Sequence, residues 1–217
     1  MSRSAAINGM YHAMLDALGP SRWWPGDTPF EIAVGAILTQ NTNWGNVEKA
    51  IAALKARDLL TAPAMHALDT AELAELIRPA GYYNVKAVRL RNFLDFLKDE
   101  AEFEIGSLRV HALDELRARL LAISGIGPET ADSILLYALE MPAFVVDAYT
   151  HRMMRRHGLV HDDVDYHELQ ALFVDALPED VALYNEYHAL IVRTGKEWCR
   201  KKAGLCEACP LQPFLQD

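Results

Sequence analysis

The chain has 217 residues, enough for one domain or two small interleaved ones around a substantial core. It is 51% hydrophobic and 24% charged, a globular balance that excludes a disordered or low-complexity chain. A formal charge of −9 argues against holding a polyanion by net charge, yet leaves room for a local positive field in a cleft. No apolar run approaches the roughly 18–20 residues needed to span a bilayer. The first residues, MSRSAAINGMYHAML, lack the apolar stretch of a secretory signal, so a cytoplasmic location is expected.

In chain order the pattern is helical nearly throughout. Thr28, Pro29 and Glu31 have capping-box spacing with proline at the first helical position. The segment after them, IAVGAILTQ, is apolar on all sides and suits a helix buried within a bundle. Val47, Ala50, Ile51 and Leu54 recur at helical spacing and form one apolar face. Asp69 and Glu72 box the next helix, which Pro79 and Gly81 stop. A further helix runs from Asn84 through LRNFLDFL, and Leu113, Leu116, Leu120 and Leu121 mark another. Asp165 and Glu168 box a helix carrying Leu169, Leu172, Phe173 and Ala176. FVVDAY, residues 144–149, is the best strand candidate and is short enough to be a buried helical segment instead. The expectation is an all-α protein of about ten helices with short connections.

RLLAISGIGPETADSILLYAL reads as a helix, a Gly-Ile-Gly turn and a second helix. Gly125 and Gly127 permit a tight turn and close backbone approach to another surface. Pro128 suits the first position of the second helix, and Ile126 can pack between the two. Free amides at such a turn suit an anion such as a DNA phosphate; an ordinary helix–turn–helix connection fits the residues equally well. Asp147 sits within the apolar segment FVVDAY. A buried aspartate is costly unless it is paired, caps a helix, or is functional. The three cysteines, Cys199, Cys206 and Cys209, cluster near the C-terminus. An odd number in a reducing compartment disfavours disulfides and leaves a metal site or bystander thiols.

The hairpin, a Val-Asp some twenty residues on and the clustered C-terminal cysteines together resemble the endonuclease III superfamily of helix-hairpin-helix DNA glycosylases. The resemblance covers nearly the whole chain. It implies a two-domain helical fold with a central cleft, one domain at 23–134 with the hairpin and the other at 1–22 and 135–217. AILTQNTNW is similar to the helix end from which a Gln probes the duplex, which puts Gln40 there. RPAGYYNVKA is similar to the loop whose side chain fills the gap left by a flipped base, which puts Tyr82 there. Gly125, Gly127, Thr130 and Lys196 complete the implied DNA-binding set, Lys196 as a structural or phosphate-contacting residue. Asp147 becomes the catalytic carboxylate. It would stabilise the oxocarbenium-like sugar and activate water.

Two departures refine the resemblance. Bifunctional members carry a lysine after the hairpin, which forms a Schiff base with the sugar. Here the position is Glu129, and a carboxylate cannot form an imine. With Trp23-Trp24-Pro25 and VVDAY, this looks most like the 3-methyladenine DNA glycosylase III branch, whose members are monofunctional and excise alkylated purines. Its base pocket would be lined by Trp24, Pro25 and Trp44, with the indoles stacking on a cationic ring and Trp23 in the core; Glu129 either joins that pocket or is an exposed first-turn acid favourable to the helix dipole. Secondly, Cys199, Cys206 and Cys209 are similar to three ligands of the superfamily's [4Fe–4S] loop, but Leu215 stands where the fourth cysteine would fall. A cluster with another fourth ligand, such as Asp217 or solvent, and a metal-free relic are both compatible with that set. Arg193, Lys196, Arg200, Lys201 and Lys202 form the densest basic run, which either faces phosphates, as the resemblance implies, or is simply a solvated basic face. The expected protein is a monomer acting on double-stranded DNA with a damaged base. The rival expectations are a glycosylase for oxidised pyrimidines or mismatched bases, and a non-catalytic damage-binding protein.

Overall fold

A computed structural model describes residues 2–21, 23 and 26–215. Among them there are eleven α-helices and no strand. In chain order these are α1 (Arg3–Leu18), α2 (Pro29–Leu38), α3 (Trp44–Lys55), α4 (Ala62–Ala67), α5 (Thr70–Leu76), α6 (Tyr83–Ala101), α7 (Leu113–Ala122), α8 (Pro128–Ser133), α9 (Ala148–Arg156), α10 (Tyr166–Val174) and α11 (Val181–Glu197). None is long and apolar enough to cross a membrane.

The chain folds as two compact units. One is residues 24–141; the other joins 1–23 to 142–217. The first unit extends past residue 134 because α8 runs into a single π-helical turn, Ile134–Ala138, whose five side chains are all buried. In this unit α2 is the axis. From Phe30 to Leu38 only Ala36 escapes full burial, as the all-round apolar sequence requires. Thr28 Oγ1 accepts from Glu31 N at 3.1 Å and Pro29 occupies the first turn. The capping box does not close here, because the Glu31 carboxylate turns to Lys55 Nζ at 2.8 Å. The box does close at Asp69 and Glu72 on α5. The apolar faces of α3 (Val47, Ala50, Ile51, Leu54) and α6 (Leu90, Phe93, Leu94, Leu97) are buried around α2.

In the second unit, α1 packs against α10 and α11, and α11 also packs against α9. Tyr187 anchors this core by donating to Ile7 O at 2.7 Å, and Phe144 stacks on Phe173 with ring centroids 4.3 Å apart. The FVVDAY segment is neither strand nor helix through Asp147. It runs extended into α9, with Phe144, Val145 and Val146 buried, and α9 starts at Ala148. Helix packing takes up its side chains, and no second strand is present among the described residues to pair its backbone. Trp23 is 37% exposed and so is not a core residue.

Candidate functional site

The hairpin is held from two sides within residues 24–141. Arg117 on α7 grips Asp132 on α8 with Nε–Oδ1 at 2.6 Å and a second bond from the guanidinium to Oδ2 at 3.0 Å. Asp132 is fully buried, and a paired fork of this kind fixes orientation as well as charge. At the turn, Gln40 Nε2 donates to Thr130 Oγ1 at 2.9 Å and to Gly125 O at 3.2 Å, while Arg89 donates to Gln40 Oε1. Asn92 Nδ2 adds a bond to Ser124 O at 2.9 Å. Gln40 and Thr130 therefore join the end of α2 to the start of α8, with Arg89 and Asn92 of α6 behind them.

The two glycines differ. Gly125 has φ +94°, and a Cβ there would fall 2.3 Å from Arg89 Cγ, so the fold itself demands glycine. Gly127 has φ −94°, and a Cβ would meet nothing within 4 Å. Nothing inside the described chain requires glycine at 127. The bare backbone is open to whatever approaches from outside. Ile126 is buried beneath the turn, and Glu129 is exposed on the first turn of α8.

Tyr82 caps α6 in a left-handed conformation, φ 47° and ψ 32°, directly after Gly81 at φ 68°. It is 72% exposed. A left-handed tyrosine with its ring in solvent is an outlier on two counts, and such strain marks functional turns. The turn is fastened by Lys86, which is 1% exposed and donates to Leu38 O at 2.7 Å and Ala80 O at 2.8 Å. Burial first, then the charge of Arg89, lowers the Lys86 ammonium to about 8. Trp44 is half-buried at the start of α3 over Gly35, where a Cβ would come 3.3 Å from its ring. Trp24 and Pro25 lie outside the described residues.

Asp147 belongs to the other unit. It is the N-cap of α9: Oδ1 accepts from Thr150 N at 2.8 Å and Thr150 Oγ1 at 2.9 Å, while the Asp147 amide donates back to that hydroxyl. Oδ2 lies 3.6 Å from His188 Nε2, and the Asp147 side chain keeps 13% exposure. Burial opposes ionisation. The His188 contact and charge, followed by the two Thr150 bonds, outweigh it and hold the carboxyl below its usual value. The cap thus uses one oxygen and leaves an ionised, partly accessible second one.

In the same unit Cys199, Cys206 and Cys209 line one pocket with Met153, Arg156, His157, Trp198, Leu211, Gln212 and Leu215. Arg156 NH1 donates to Cys199 Sγ at 3.2 Å. A Cβ on Gly204 would come 2.9 Å from Cys206 Sγ, so the loop wraps closely on that thiol. Burial, and then the charges of Cys199 and Cys206, push the Cys209 thiol up against a bond from the Leu211 backbone. No three described His, Cys, Asp or Glu side chains converge where one metal ion could sit. Asp217 lies outside the described residues.

The basic run is divided in its uses. Arg193 is turned inward, donating to Leu18 O at 2.8 Å, Gly19 O at 3.0 Å and Ser21 Oγ at 3.1 Å, and so is a structural clamp on the end of α1. Lys196, Arg200, Lys201 and Lys202 are exposed. Arg89 against Gln40, Lys86 beneath the Tyr82 turn, His188 beside Asp147 and His157 in the cysteine pocket are neighbours that the sequence motifs do not reveal; only Lys86 falls inside a quoted motif, YYNVKA.

A family model for HhH-GPD superfamily base excision DNA repair proteins matches residues 34–179, from the middle of α2 past α10. The chain belongs to that superfamily. Among its relatives, a Methanocaldococcus jannaschii protein provisionally named a DNA repair glycosylase is 49% identical over 213 residues, covering 96% of this chain and 94% of that one. A 3-methyladenine DNA glycosylase from H. pylori, solved bound to 1,N6-ethenoadenine, is 28% identical with a TM-score of 0.76, covering 91% of this chain and 98% of that one. A trapped endonuclease III–DNA covalent intermediate has the same fold at 22% identity and a TM-score of 0.84, covering 99% and 96%. The chain is a DNA glycosylase of base excision repair.

Proposed function

We propose that this HhH-GPD protein is a monofunctional glycosylase that extrudes an alkylated purine from duplex DNA, hydrolyses its N-glycosidic bond and leaves the strand uncut. The observation that carries the reading is a pair of carboxylates in contrasting settings. Asp147 is ionised and only partly accessible, whereas Glu129 is exposed on the hairpin helix at the position that the resemblance assigns to a lyase lysine. The 3-methyladenine glycosylase among the similar structures supports the alkylpurine choice.

A base inside a duplex cannot be reached until it is flipped out. Tyr82, exposed and held left-handed, is suited to fill the gap the base leaves. Gly127, with open space where a side chain would be, lets the backbone approach a phosphate closely. Gln40 braces the hairpin through Thr130 and Gly125 at that same edge. Trp44 supplies an aromatic face for a cationic purine, and Lys196 a charge for the phosphate backbone. An alkylated, positively charged purine leaves readily, so the demanding part is the electron-poor sugar and the incoming water. The Asp147 carboxylate answers both. Its charge stabilises the sugar as the C–N bond breaks, and it accepts the proton as water oxygen bonds to the sugar carbon.

The test is base release from a panel of duplexes, each with one lesion: methylated purine, oxidised pyrimidine, mismatched thymine, or adenine opposite oxidised guanine. Methylated purine should be released without strand scission. Asp147→Asn should lower release by about 100-fold or more. Asparagine is also a good N-cap, so the fold and DNA affinity should persist. Release only from another lesion overturns the alkylpurine reading, borohydride trapping of a covalent enzyme–DNA adduct overturns the monofunctional one, and no release at all leaves a DNA-binding protein.

A further inference from the structure

The pocket lined by the three cysteines holds a fourth donor that the cysteine pattern does not announce. His157, the residue after α9, is 6% exposed and lines that pocket. Its Nδ1 is buried with no hydrogen-bond partner among the described residues. The Phe214 backbone is an acceptor beside the ring. With Nδ1 unpartnered, donation to it from Nε2 leaves Nδ1 as the ring's lone-pair nitrogen. An unmet buried acceptor is costly, and metal-bound histidines almost always donate their other ring N–H to a carbonyl or carboxylate in this way.

We propose that His157 Nδ1 is the fourth ligand of an iron–sulfur cluster whose other three ligands are Cys199, Cys206 and Cys209. Three thiols and an imidazole are a donor set for zinc or for iron–sulfur chemistry. The arrangement decides between them. A tetrahedral zinc site needs its donors converging on one ion, and no three of the described donors do so. A cluster takes its ligands on separate irons, so they need only line a shared pocket, as these do. The surroundings suit bound thiolates: Arg156 donates to Cys199 Sγ, and Gly204 lets the loop close on Cys206. Leu215, where the resemblance would put a cysteine, lines the pocket as an apolar wall, and the ligand comes instead from the end of α9, far away in sequence. The inference is independent of the glycosylase reading, since its readouts are spectroscopic.

The experiment is anaerobic purification of the full chain, with iron and acid-labile sulfide assays, an absorption spectrum and pulsed EPR of the reduced protein. A brown protein with both elements and a 14N coupling of a directly bound imidazole is expected. His157→Ala should lose most of the iron while retaining its helical circular dichroism. His157→Cys should regain the iron but lose the 14N coupling. Asp217→Ala should leave iron content unchanged. The proposal is overturned by absence of iron, by zinc in its place, by full iron content in His157→Ala, by a 14N signal that survives His157→Cys, or by iron loss in Asp217→Ala. Should His157→Ala fail to fold, the EPR of the unsubstituted protein and of His157→Cys decides.

Discussion

Lys86 gives the sharpest stability prediction, because a lysine 1% exposed joins the end of α2 to the turn before Tyr82. Its folded value of about 8 lies well below the ordinary 10.5. In this pH range the unfolded chain binds the proton more tightly than the folded one, so folding stability must rise with pH between the two values. At about 1.36 kcal/mol per unit, this one group should add about 3 kcal/mol to folding stability between pH 7 and 10.5. Urea unfolding followed by circular dichroism at several pH values measures this, with Lys86→Met as reference so that other titrations cancel. At pH 7 the variant sheds the cost of a buried charge but leaves the carbonyls of Leu38 and Ala80 without their donor, about 1–3 kcal/mol each. Its net change at neutral pH should therefore be small compared with the two lost bonds. At pH 10.5 only the lost bonds remain, and the variant should fall about 3 kcal/mol further behind the parent. Parallel stability curves for the two proteins would refute the reasoning.

The hairpin glycines should separate cleanly. Gly125→Ala, strained at φ +94° and driven against Arg89, should unfold at clearly lower urea, by about 1–3 kcal/mol, whereas Gly127→Ala should keep its stability within about 0.5 kcal/mol and lose duplex affinity in a titration. Tyr82→Asn should fold at least as stably, since asparagine tolerates the left-handed turn, while base release falls because nothing large fills the gap; a drop in stability would count against the strain argument. The pH profile of base release should reach well into acid, because Asp147 must be ionised and its carboxyl sits below the usual range; activity is lost as pH falls through that value. His188→Gln removes the first of the groups holding it down, so the acid limb should move to higher pH, and an unmoved limb would show that His188 does not tune the carboxylate.

Much of this protein is readable along the chain because the forces concerned are local. A cap reaches three residues, so Thr28, Asp69 and Asp165 announce where α2, α5 and α10 begin. Helical periodicity needs only one helix, so Val47, Ala50, Ile51 and Leu54 give away the buried face of α3. The same locality misleads at Glu31, whose spacing predicts a closed box but whose carboxylate is taken by Lys55 from α3. It misleads again at FVVDAY, where an apolar run reads as strand or helix and is neither as far as Asp147. The family motifs place Gln40, Tyr82, Gly125 and Asp147 in order, but not what each touches.

Read along the chain alone, the residues establish that the protein is helical, that Gly-Ile-Gly permits a tight turn, and that a carboxylate stands at 129. These follow from backbone freedom, side-chain reach of a few residues, and chemical identity. Only the tertiary structure decided that Gly125 is glycine for the sake of Arg89 while Gly127 faces open space. It also decided that Arg193 clamps α1 rather than joining the basic surface, and that His188 stands beside Asp147. The companion of the three cysteines is likewise a histidine from the end of α9. Each of these depends on side chains brought together from distant parts of the chain by burial of apolar helix faces. That force is non-directional, so the pattern of apolar residues says that helices will meet but not which polar groups will face one another when they do.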